Sequence, residues 1–268
     1  MDLETVLGDA APHLAVTRDG GIVTVAFTRP DKHNAISYAM WHALGRLMPA
    51  LADDDGCDVV VVRGTPGGPF SAGADIGEFS TLRADPEGAR RYGEAVEAGE
   101  QALIGFPKPT VALIEGFAIG GGSQIALACD LRVCGAGSRF GITPAKLGIV
   151  YALGSTARLV EVVGPAWARW ILFTGDLLDA ATALRIGMVH EVVDDVEARA
   201  YALAETMASR ARVSLLGGKE LVARAAAGRL EEDDEVRALY AQSWTSAEYA
   251  EGVAAFLGKR RPDFPGVR

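Results

Sequence analysis

The stretch from Lys108 to Val133, KPTVALIEGFAIGGGSQIALACDLRV, constrains the fold more than any other part of the chain. Its β-branched and apolar run, Thr110 to Ile114, predicts a buried strand. The glycine triplet Gly120 to Gly122 follows, and the apolar segment Ile125 to Cys129 then predicts a short buried helix. A strand that enters a helix through glycines exposes backbone amides, because glycine has no Cβ to cover them.

Two interpretations of this glycine triplet are open. In the first, Gly120 to Gln124 presents N–H groups that have no partner inside the helix, and the helix dipole adds partial positive charge there. Such a helix start can hold a developing negative charge on an oxygen atom. In the second, the glycines only allow the helix to cross close to the preceding strand. Both interpretations require a tight strand-to-helix turn at this point.

Composition excludes several classes of protein. The 268 residues carry a formal net charge of −9 and a sequence pI of about 5.0, without the basic surface that nucleic-acid binding needs. No apolar run reaches transmembrane length, and the acidic N-terminal segment lacks the apolar core of a signal peptide. The cysteines lie in apolar surroundings without histidines at metal-ligand spacing, so we expect free thiols and no metal site. The sequence predicts a cytoplasmic protein with no nucleic-acid or membrane partner.

Strands and helices alternate along the first part of the chain, which predicts an α/β fold with a largely parallel sheet and right-handed crossovers. Ser37 is a candidate N-cap for a helix, and the valine-rich run Val59 to Arg63 predicts a strand buried on both faces. From Val196 onward the pattern is helical almost to the C-terminus. We therefore predict a core over residues 1–195 and a helical region over residues 196–268.

A second loop rich in glycine and proline, Gly64 to Ala74, lies in the segment GTPGGPFSAGADI and follows the predicted strand Val59 to Arg63. Small residues from Ser71 to Ala74 leave the backbone uncovered here too. Because parallel strands end at the same edge of a sheet, we expect this loop to converge with the loop that holds the glycine triplet.

Taken in order, these segments resemble the crotonase superfamily, also called the enoyl-CoA hydratase/isomerase family. The resemblance runs from about Val16 to Phe264, and its landmarks are RPDKHNAIS at Arg29–Ser37, FSAGADI at Phe70–Ile76, KPTVALIEGFAIGGG at Lys108–Gly122, ALACDLRV at Ala126–Val133, FGITPAKLGIV at Phe140–Val150, FTGDLLDAATALRIGMVHEVV at Phe173–Val193 and EGVAAFLGKRRPDF at Glu251–Phe264. The resemblance implies a spiral of ββα units with a C-terminal helical part that assembles a homotrimer or a dimer of trimers.

The resemblance also implies that the substrate is an acyl-CoA thioester, with coenzyme A as part of the substrate and no permanently bound cofactor. By motif match, the backbone N–H groups of Ala74 and Gly121 form an oxyanion hole for the thioester carbonyl. The residues that match CoA-contacting positions of the family are Lys32, Ala72, Ala74, Ile76, Phe256 and Lys259.

The chain departs from the family pattern at both glutamates with which its hydratases add water. Gln124 lies three residues after Gly121, at the position of the first family glutamate. Pro144 lies in the segment that begins with Phe140-Gly141, at the position of the second family glutamate. Hydration needs a base for the water and an acid for the α-carbon, and neither glutamine nor proline titrates near neutral pH. Gln124 can still orient a water molecule.

Other side chains are candidates to replace the missing carboxylates. Tyr151 follows the Pro144 segment and is placed to line the acyl pocket, although a packing role is the commoner one for an aromatic residue. Glu78, Glu97 and Glu100 lie in or near the helix that flanks this pocket, although solvated charge is the commoner role of a helix glutamate.

Three functions are consistent with these residues. The default is an acyl-CoA enzyme that hydrates a 2-enoyl-CoA, with Gln124 and Tyr151 beside an oxyanion hole at Ala74 and Gly121. The second function keeps the hole but changes the reaction to decarboxylation or hydrolysis of an acyl-CoA thioester. The third is a non-catalytic acyl-CoA-binding protein, which the absence of both glutamates supports directly.

Overall fold

A computed structural model describes residues 2–267 as an α/β fold with two sheets. The strands are β1 (Leu14–Asp19), β2 (Ile22–Phe27), β3 (Val59–Arg63), β4 (Thr110–Ile114), β5 (Phe117–Ile119), β6 (Leu131–Gly135), β7 (Arg139–Gly141), β8 (Leu178–Asp179) and β9 (Glu191–Val193). The larger sheet has the order β1-β2-β3-β4-β6-β9, and β5, β7 and β8 form the smaller one. In the larger sheet β1 and β2 form an antiparallel hairpin, and the other pairs are parallel.

The helices connect these strands and make up most of the C-terminal part. They are α1 (Leu3–Leu7), α2 (Tyr38–Ala52), α3 (Phe79–Leu82), α4 (Pro86–Ile104), α5 (Gly121–Ala128), α6 (Leu153–Thr174), α7 (Ala180–Arg185), α8 (Val196–Ala208), α9 (Arg212–Ala226), α10 (Asp234–Thr245) and α11 (Ala247–Leu257). As predicted, Ser37 caps α2: its Oγ accepts a hydrogen bond from the Met40 amide at 3.3 Å.

The larger sheet is covered on both faces, which explains the run of valines in β3. All five residues of β3 are buried, and alternate side chains enter different apolar clusters. Val60 and Val62 belong to the cluster that includes α2 and α4, whereas Val59 and Val61 pack with α8. Because both faces of such a strand are buried, its amino-acid sequence is a continuous hydrophobic run.

Several elements depart from the sequence-based expectations in extent. No sequence pattern predicts the strands β5 and β8, because runs of three and two residues carry no usable periodicity. The helical pattern expected from Val196 onward is interrupted after Ala208, and the next helix begins at Arg212. Within α6, Gly164 has a φ of 75° and interrupts the helical backbone.

The chain beyond residue 195 is helical, as expected, and its first helix, α8, packs against β3, β4 and β6. The division into a core and an oligomerisation region stays a prediction. Within residues 2–267, no helix combines the length and apolar character needed to cross a bilayer.

The crossing of α2 and α4 yields a stability prediction at Gly99. A Cβ at Gly99 would lie 2.8 Å from the carbonyl oxygen of Trp41, which is a backbone atom and cannot easily move. We expect Gly99→Ala to lower the free energy of unfolding by about 1–3 kcal/mol. Gly93→Ala in the same helix meets no atom within 4 Å, and we expect it to raise that free energy by about 0.4–1 kcal/mol. Urea unfolding of both variants measures the difference, and shifts of the same sign would contradict this packing.

Candidate active site

Two loops that follow neighbouring parallel strands are joined by backbone hydrogen bonds. The loop after β3 contributes Ser71, whose amide donates to the Phe117 carbonyl oxygen at 3.0 Å. The Ile119 amide in turn donates to the Ser71 carbonyl oxygen at 3.0 Å, so that Ser71 pairs with Ala118 as a parallel bridge. The predicted convergence of the two loops is confirmed.

A second parallel bridge, between Ile36 and Ala74, fixes the direction of the Ala74 amide. The Ile36 amide donates to the Gly73 carbonyl oxygen at 2.7 Å, and the Asp75 amide donates to the Ile36 carbonyl oxygen at 2.9 Å. Because the groups that face Ile36 come from the residues on either side, the N–H of Ala74 points to the other side of this extended segment. Ala74 lines a cavity on that side.

The Gly121 amide faces the same cavity as the Ala74 amide. Gly121 is the first residue of α5, where an N–H has no acceptor inside the helix. A Cβ built on Gly121 would lie 3.4 Å from the Ala74 nitrogen, so the two amides are neighbours. Neither amide donates a hydrogen bond to another group within residues 2–267. Both therefore have a donor available for a ligand.

Glycines are required in both loops because the backbones approach closely. Gly73 has a φ of +100°, and a Cβ there would lie 2.7 Å from the Ile119 carbonyl oxygen. A Cβ at Gly122 would lie 2.7 Å from the Ser71 carbonyl oxygen. The two interpretations of the glycine triplet therefore apply to different members: Gly122 allows close packing, and Gly121 presents an amide to the cavity.

The cavity has a volume of about 550 Å³ and an apolar wall with a few polar groups. Its larger apolar side chains include Ile76, Phe79, Val96, Ile142, Leu147 and Val150. Its polar and charged side chains include Arg83, Glu97, Glu100, Gln124, Lys146 and Ser155. This combination suits a ligand that has an apolar chain next to a polar group.

Three of these polar residues, Glu100, Gln124 and Ser155, form a buried cluster in the cavity wall, here called the Glu100 cluster. Gln124 Nε2 donates to Glu100 Oε2 at 2.7 Å, and Ser155 Oγ donates to the same oxygen at 2.6 Å. Gln124 Nε2 also lies 2.9 Å from Ser155 Oγ. Residues from three helices, α4, α5 and α6, therefore meet at one carboxylate oxygen.

Glu100 is only 2% exposed, so the expectation of a solvated helix charge is wrong at this position. Burial raises its pKa, and the hydrogen bonds from Ser155 and Gln124 oppose that rise only in part. The neighbouring Glu97 is exposed, as expected. The signal that sequence reasoning missed is the spacing of Tyr92, Val96 and Glu100, which places the glutamate on the inner stripe of α4.

Three aromatic side chains of the cavity carry buried polar atoms without hydrogen-bond partners of ordinary geometry among residues 2–267: Trp41 Nε1, Tyr92 Oη and Tyr151 Oη. Burial raises the pKa of both tyrosines, and the Glu100 charge raises that of Tyr151 further. Both hydroxyls therefore stay protonated and can donate to a ligand. Tyr151 lines the cavity and also packs against the core.

The residues expected to contact CoA fall into two groups. Ala72, Ala74 and Ile76 line the cavity. Lys32, Phe256 and Lys259 are exposed and are not part of the cavity wall, and Phe256 instead lines a groove of about 370 Å³ formed by the C-terminal helices. The CoA-contacting role of all six residues stays a prediction.

Position 144, where the family resemblance places the second glutamate, is a proline and holds no titrating group. Pro144 lines the cavity and begins a short 3-10 turn, Pro144–Leu147. The groups of the cavity wall that are available for chemistry therefore include two free amides and the Glu100 cluster. The amides favour a ligand oxygen that gains negative charge, and the buried carboxyl group can accept or release a proton.

Comparisons with known proteins agree with this geometry. The enoyl-CoA hydratase/isomerase family model matches residues 17–267. The mitochondrial enoyl-CoA hydratase domain-containing protein 2 of Mus musculus is 31% identical over 253 residues, which cover 92% of this chain and 85% of the relative. The crotonyl-CoA hydratase of Syntrophomonas wolfei subsp. wolfei is 29% identical over 262 residues, which cover 95% and 98%.

Solved structures give the same result. The crystal structure of an enoyl-CoA hydratase/isomerase family protein from Hyphomonas neptunium matches with a TM-score of 0.90 and 32% identity. The match covers 94% of this chain and 97% of that protein. In sequence and in fold, the chain thus belongs to the enoyl-CoA hydratase/isomerase family, within the crotonase superfamily.

Proposed function

We propose that this protein binds an acyl-CoA thioester and stabilises its enolate with the Ala74 and Gly121 amides, and that its reaction is the hydration of a 2-enoyl-CoA. The observation that carries the proposal is the placement of two unpaired amides side by side at one cavity. Fixed N–H donors stabilise an oxygen on which charge develops, and loss of one such donor typically costs about 3–4 kcal/mol of transition-state stabilisation. Relatives named as enoyl-CoA and crotonyl-CoA hydratases support the choice of reaction.

In this proposal the acyl chain occupies the apolar wall and CoA extends past Ala72 and Ile76. Half of the Ile76 side chain is exposed, at 51%, which is consistent with a position at the cavity mouth. Phe256 and Lys259 would reach the CoA of a neighbouring subunit in a homotrimer or a dimer of trimers. A few local cations are sufficient for an anionic ligand on a protein with a net charge of −9.

A cytoplasmic location also stays a proposal.

Decarboxylation or hydrolysis of an acyl-CoA thioester is the second candidate function. Gln124 is the observation that favours it, because this side chain lies in the cavity wall and cannot act as an acid or base near neutral pH. An oxyanion hole and a bound water molecule are compatible with either of these reactions.

The proposed oxyanion hole can be tested through Gly73 with crotonyl-CoA as the substrate. We expect the parent protein to hydrate crotonyl-CoA, measured as loss of the conjugated enoyl absorbance. Gly73→Ala should lower kcat by about 100-fold, because the new Cβ would lie 2.7 Å from the Ile119 carbonyl oxygen and 3.3 Å from the Gly121 nitrogen. The matched control is Gly137→Ala, which meets no atom within 4 Å and should keep the parent rate.

The same preparation separates the competing functions. Release of free CoA from acyl-CoA esters, or of CO2 from malonyl-CoA, without hydration of crotonyl-CoA would replace the first candidate by the second. Binding of these thioesters without turnover of any of them would contradict both reactions and indicate an acyl-CoA-binding protein.

A further inference from the structure

We infer that Glu100 is the catalytic acid and base of this site, and that Gln124 and Ser155 position it to exchange a proton with an acyl carbon of the bound thioester. The inference rests on the proposed function, because it requires the enolate that the Ala74 and Gly121 amides would stabilise. It assigns to α4 the carboxylate that the family resemblance places at position 124 on α5.

Gln124, a member of the Glu100 cluster, lies just under one helical turn after Gly121. Gln124 follows Gly121 by three residues in α5, which is about 4.5 Å along the helix axis. Gln124 then holds Glu100 at 2.7 Å. Since the acyl carbons of a thioester extend only a few bond lengths from its carbonyl oxygen, a ligand held by Gly121 brings these carbons to the region of the cluster.

The two oxygens of Glu100 have different surroundings. Both hydrogen bonds of the cluster reach Oε2, and Oε1 accepts none from residues 2–267. Glu100 is also part of the cavity wall. Gln124 and Ser155 therefore fix the orientation of the carboxyl group through one oxygen and leave the other available to a water molecule or a substrate proton.

The other titratable groups of the cavity are less suited to this role. Glu97 and Lys146 are exposed, so their side chains are solvated rather than enclosed in the cavity wall. Burial raises the pKa values of Tyr92 and Tyr151, and their hydroxyls cannot act as bases near neutral pH. Among the described residues of the wall, Glu100 is the buried carboxyl group.

The identity of residue 124 follows from the position of Glu100. A glutamate at position 124 would place a second carboxylate at hydrogen-bond distance from Glu100 Oε2, where Gln124 Nε2 lies at 2.7 Å. Two carboxylates at that distance cannot both ionise without strong repulsion. The Gln124 amide donates a hydrogen bond instead, which stabilises the ionised form of Glu100. Gln124 therefore serves as the hydrogen-bond donor to Glu100 on the neighbouring helix, and its presence at this position does not mean that the site lacks an acid.

Hydration by a single carboxylate is balanced in atoms and electrons. The Glu100 carboxylate accepts a proton from water while the water oxygen bonds to the β-carbon. The π electrons of the Cα–Cβ bond form the enolate, whose oxygen is held by the amides of Ala74 and Gly121. Glu100 then donates its proton to the α-carbon, the carbonyl re-forms, and the carboxylate is restored.

The charges around Glu100 define the pH dependence that this mechanism predicts. Burial raises its pKa above the ordinary value of 4.5, Glu97 on the same helix raises it further, and Ser155, Gln124 and Arg158 lower it. Arg83 and Lys146 are the cations of the cavity wall. Because the base must be ionised, we expect kcat/KM to fall as the pH decreases through this raised pKa.

The decisive experiment compares Glu100→Gln with Glu94→Gln. Glu100→Gln keeps the shape of the side chain and is expected to lower kcat for crotonyl-CoA by about 100- to 10,000-fold, with little change in KM. Glu94 lies on the same helix, is exposed, pairs with Arg90 and lies outside the cavity wall, so Glu94→Gln should keep the parent kcat. A Glu100→Gln variant that binds CoA esters and hydrates crotonyl-CoA at the parent rate would overturn the inference.

Exchange of the α-protons of butyryl-CoA in D2O separates this inference from the proposed reaction. Exchange requires the amides and the base but no water addition, and NMR or mass spectrometry measures it directly. Exchange by the parent and not by Glu100→Gln, without hydration of crotonyl-CoA, would support the role of Glu100 and contradict the hydratase function. Hydration with equal exchange by both proteins would support the function and contradict the role of Glu100.

A variant of Ser155 tests the positioning role. Ser155→Ala removes a hydrogen bond that lowers the pKa of Glu100. We therefore expect the acid limb of the kcat/KM profile to move to higher pH in Ser155→Ala and to disappear in Glu100→Gln. A merely structural role of the cluster would lower activity at all pH values without moving this limb, and that result would overturn the assignment.

Thermal unfolding gives a readout that does not depend on the substrate. Because the pKa of Glu100 is raised in the folded state, its favourable contribution to stability is present below the unfolded value of about 4.5 and is lost as the pH rises through the folded pKa. The Tm of Glu100→Gln relative to the parent should therefore increase from acidic to alkaline pH. A constant difference in Tm across this range would show that Glu100 does not carry a raised pKa.

Discussion

The backbone pairing of Ser71 with Ala118 is the interaction on which the site depends. It joins two loops that arise from different strands, and each of its hydrogen bonds contributes only about 0.5–1.5 kcal/mol to stability. Its importance is geometric, because it sets the distance between the Ala74 and Gly121 amides before any ligand arrives. Donors that are already in place need no reorganisation when charge develops on an oxygen. The glycines at positions 73 and 122 are what allow the loops to pair so closely.

Much of the fold could be predicted from the sequence because its signals are local. The bounds of β3 and β4 follow directly from their β-branched and apolar runs, and the structure reproduces them. The convergence of the two glycine-rich loops also follows from the order of parallel strands. By contrast, β5 and β8 form only because neighbouring strands are already present to pair with them. No local pattern in segments of three and two residues predicts such pairing.

The Glu100 cluster illustrates a different limit of sequence reasoning. A comparison of motifs finds glutamine and proline at positions 124 and 144 and concludes that the acids are missing. The structure brings in a carboxylate from 24 residues earlier in the chain, held by two hydrogen bonds in the cavity wall. Burying an ionised carboxylate costs stability, and a buried carboxyl group with a raised pKa in a cavity wall is typical of functional sites. Periodicity along α4 places Glu100 on the inner face, but only the packed helices show what it meets there.

The adjacency of Gly99 and Glu100 in α4 has a consequence for how this scaffold can diversify. Gly99 lies at the contact with α2, and the next residue is the proposed acid, so one short segment would fix both the spacing of the two helices and the position of the carboxyl group. The amides that are proposed to bind the substrate oxygen belong to other segments and are main-chain groups that no side-chain replacement can delete. Substitutions in one helix could thus change the reaction, while the backbone amides of Ala74 and Gly121 stay in place. A classification of such proteins by positions 124 and 144 alone would overlook the carboxyl group that α4 places in the cavity wall.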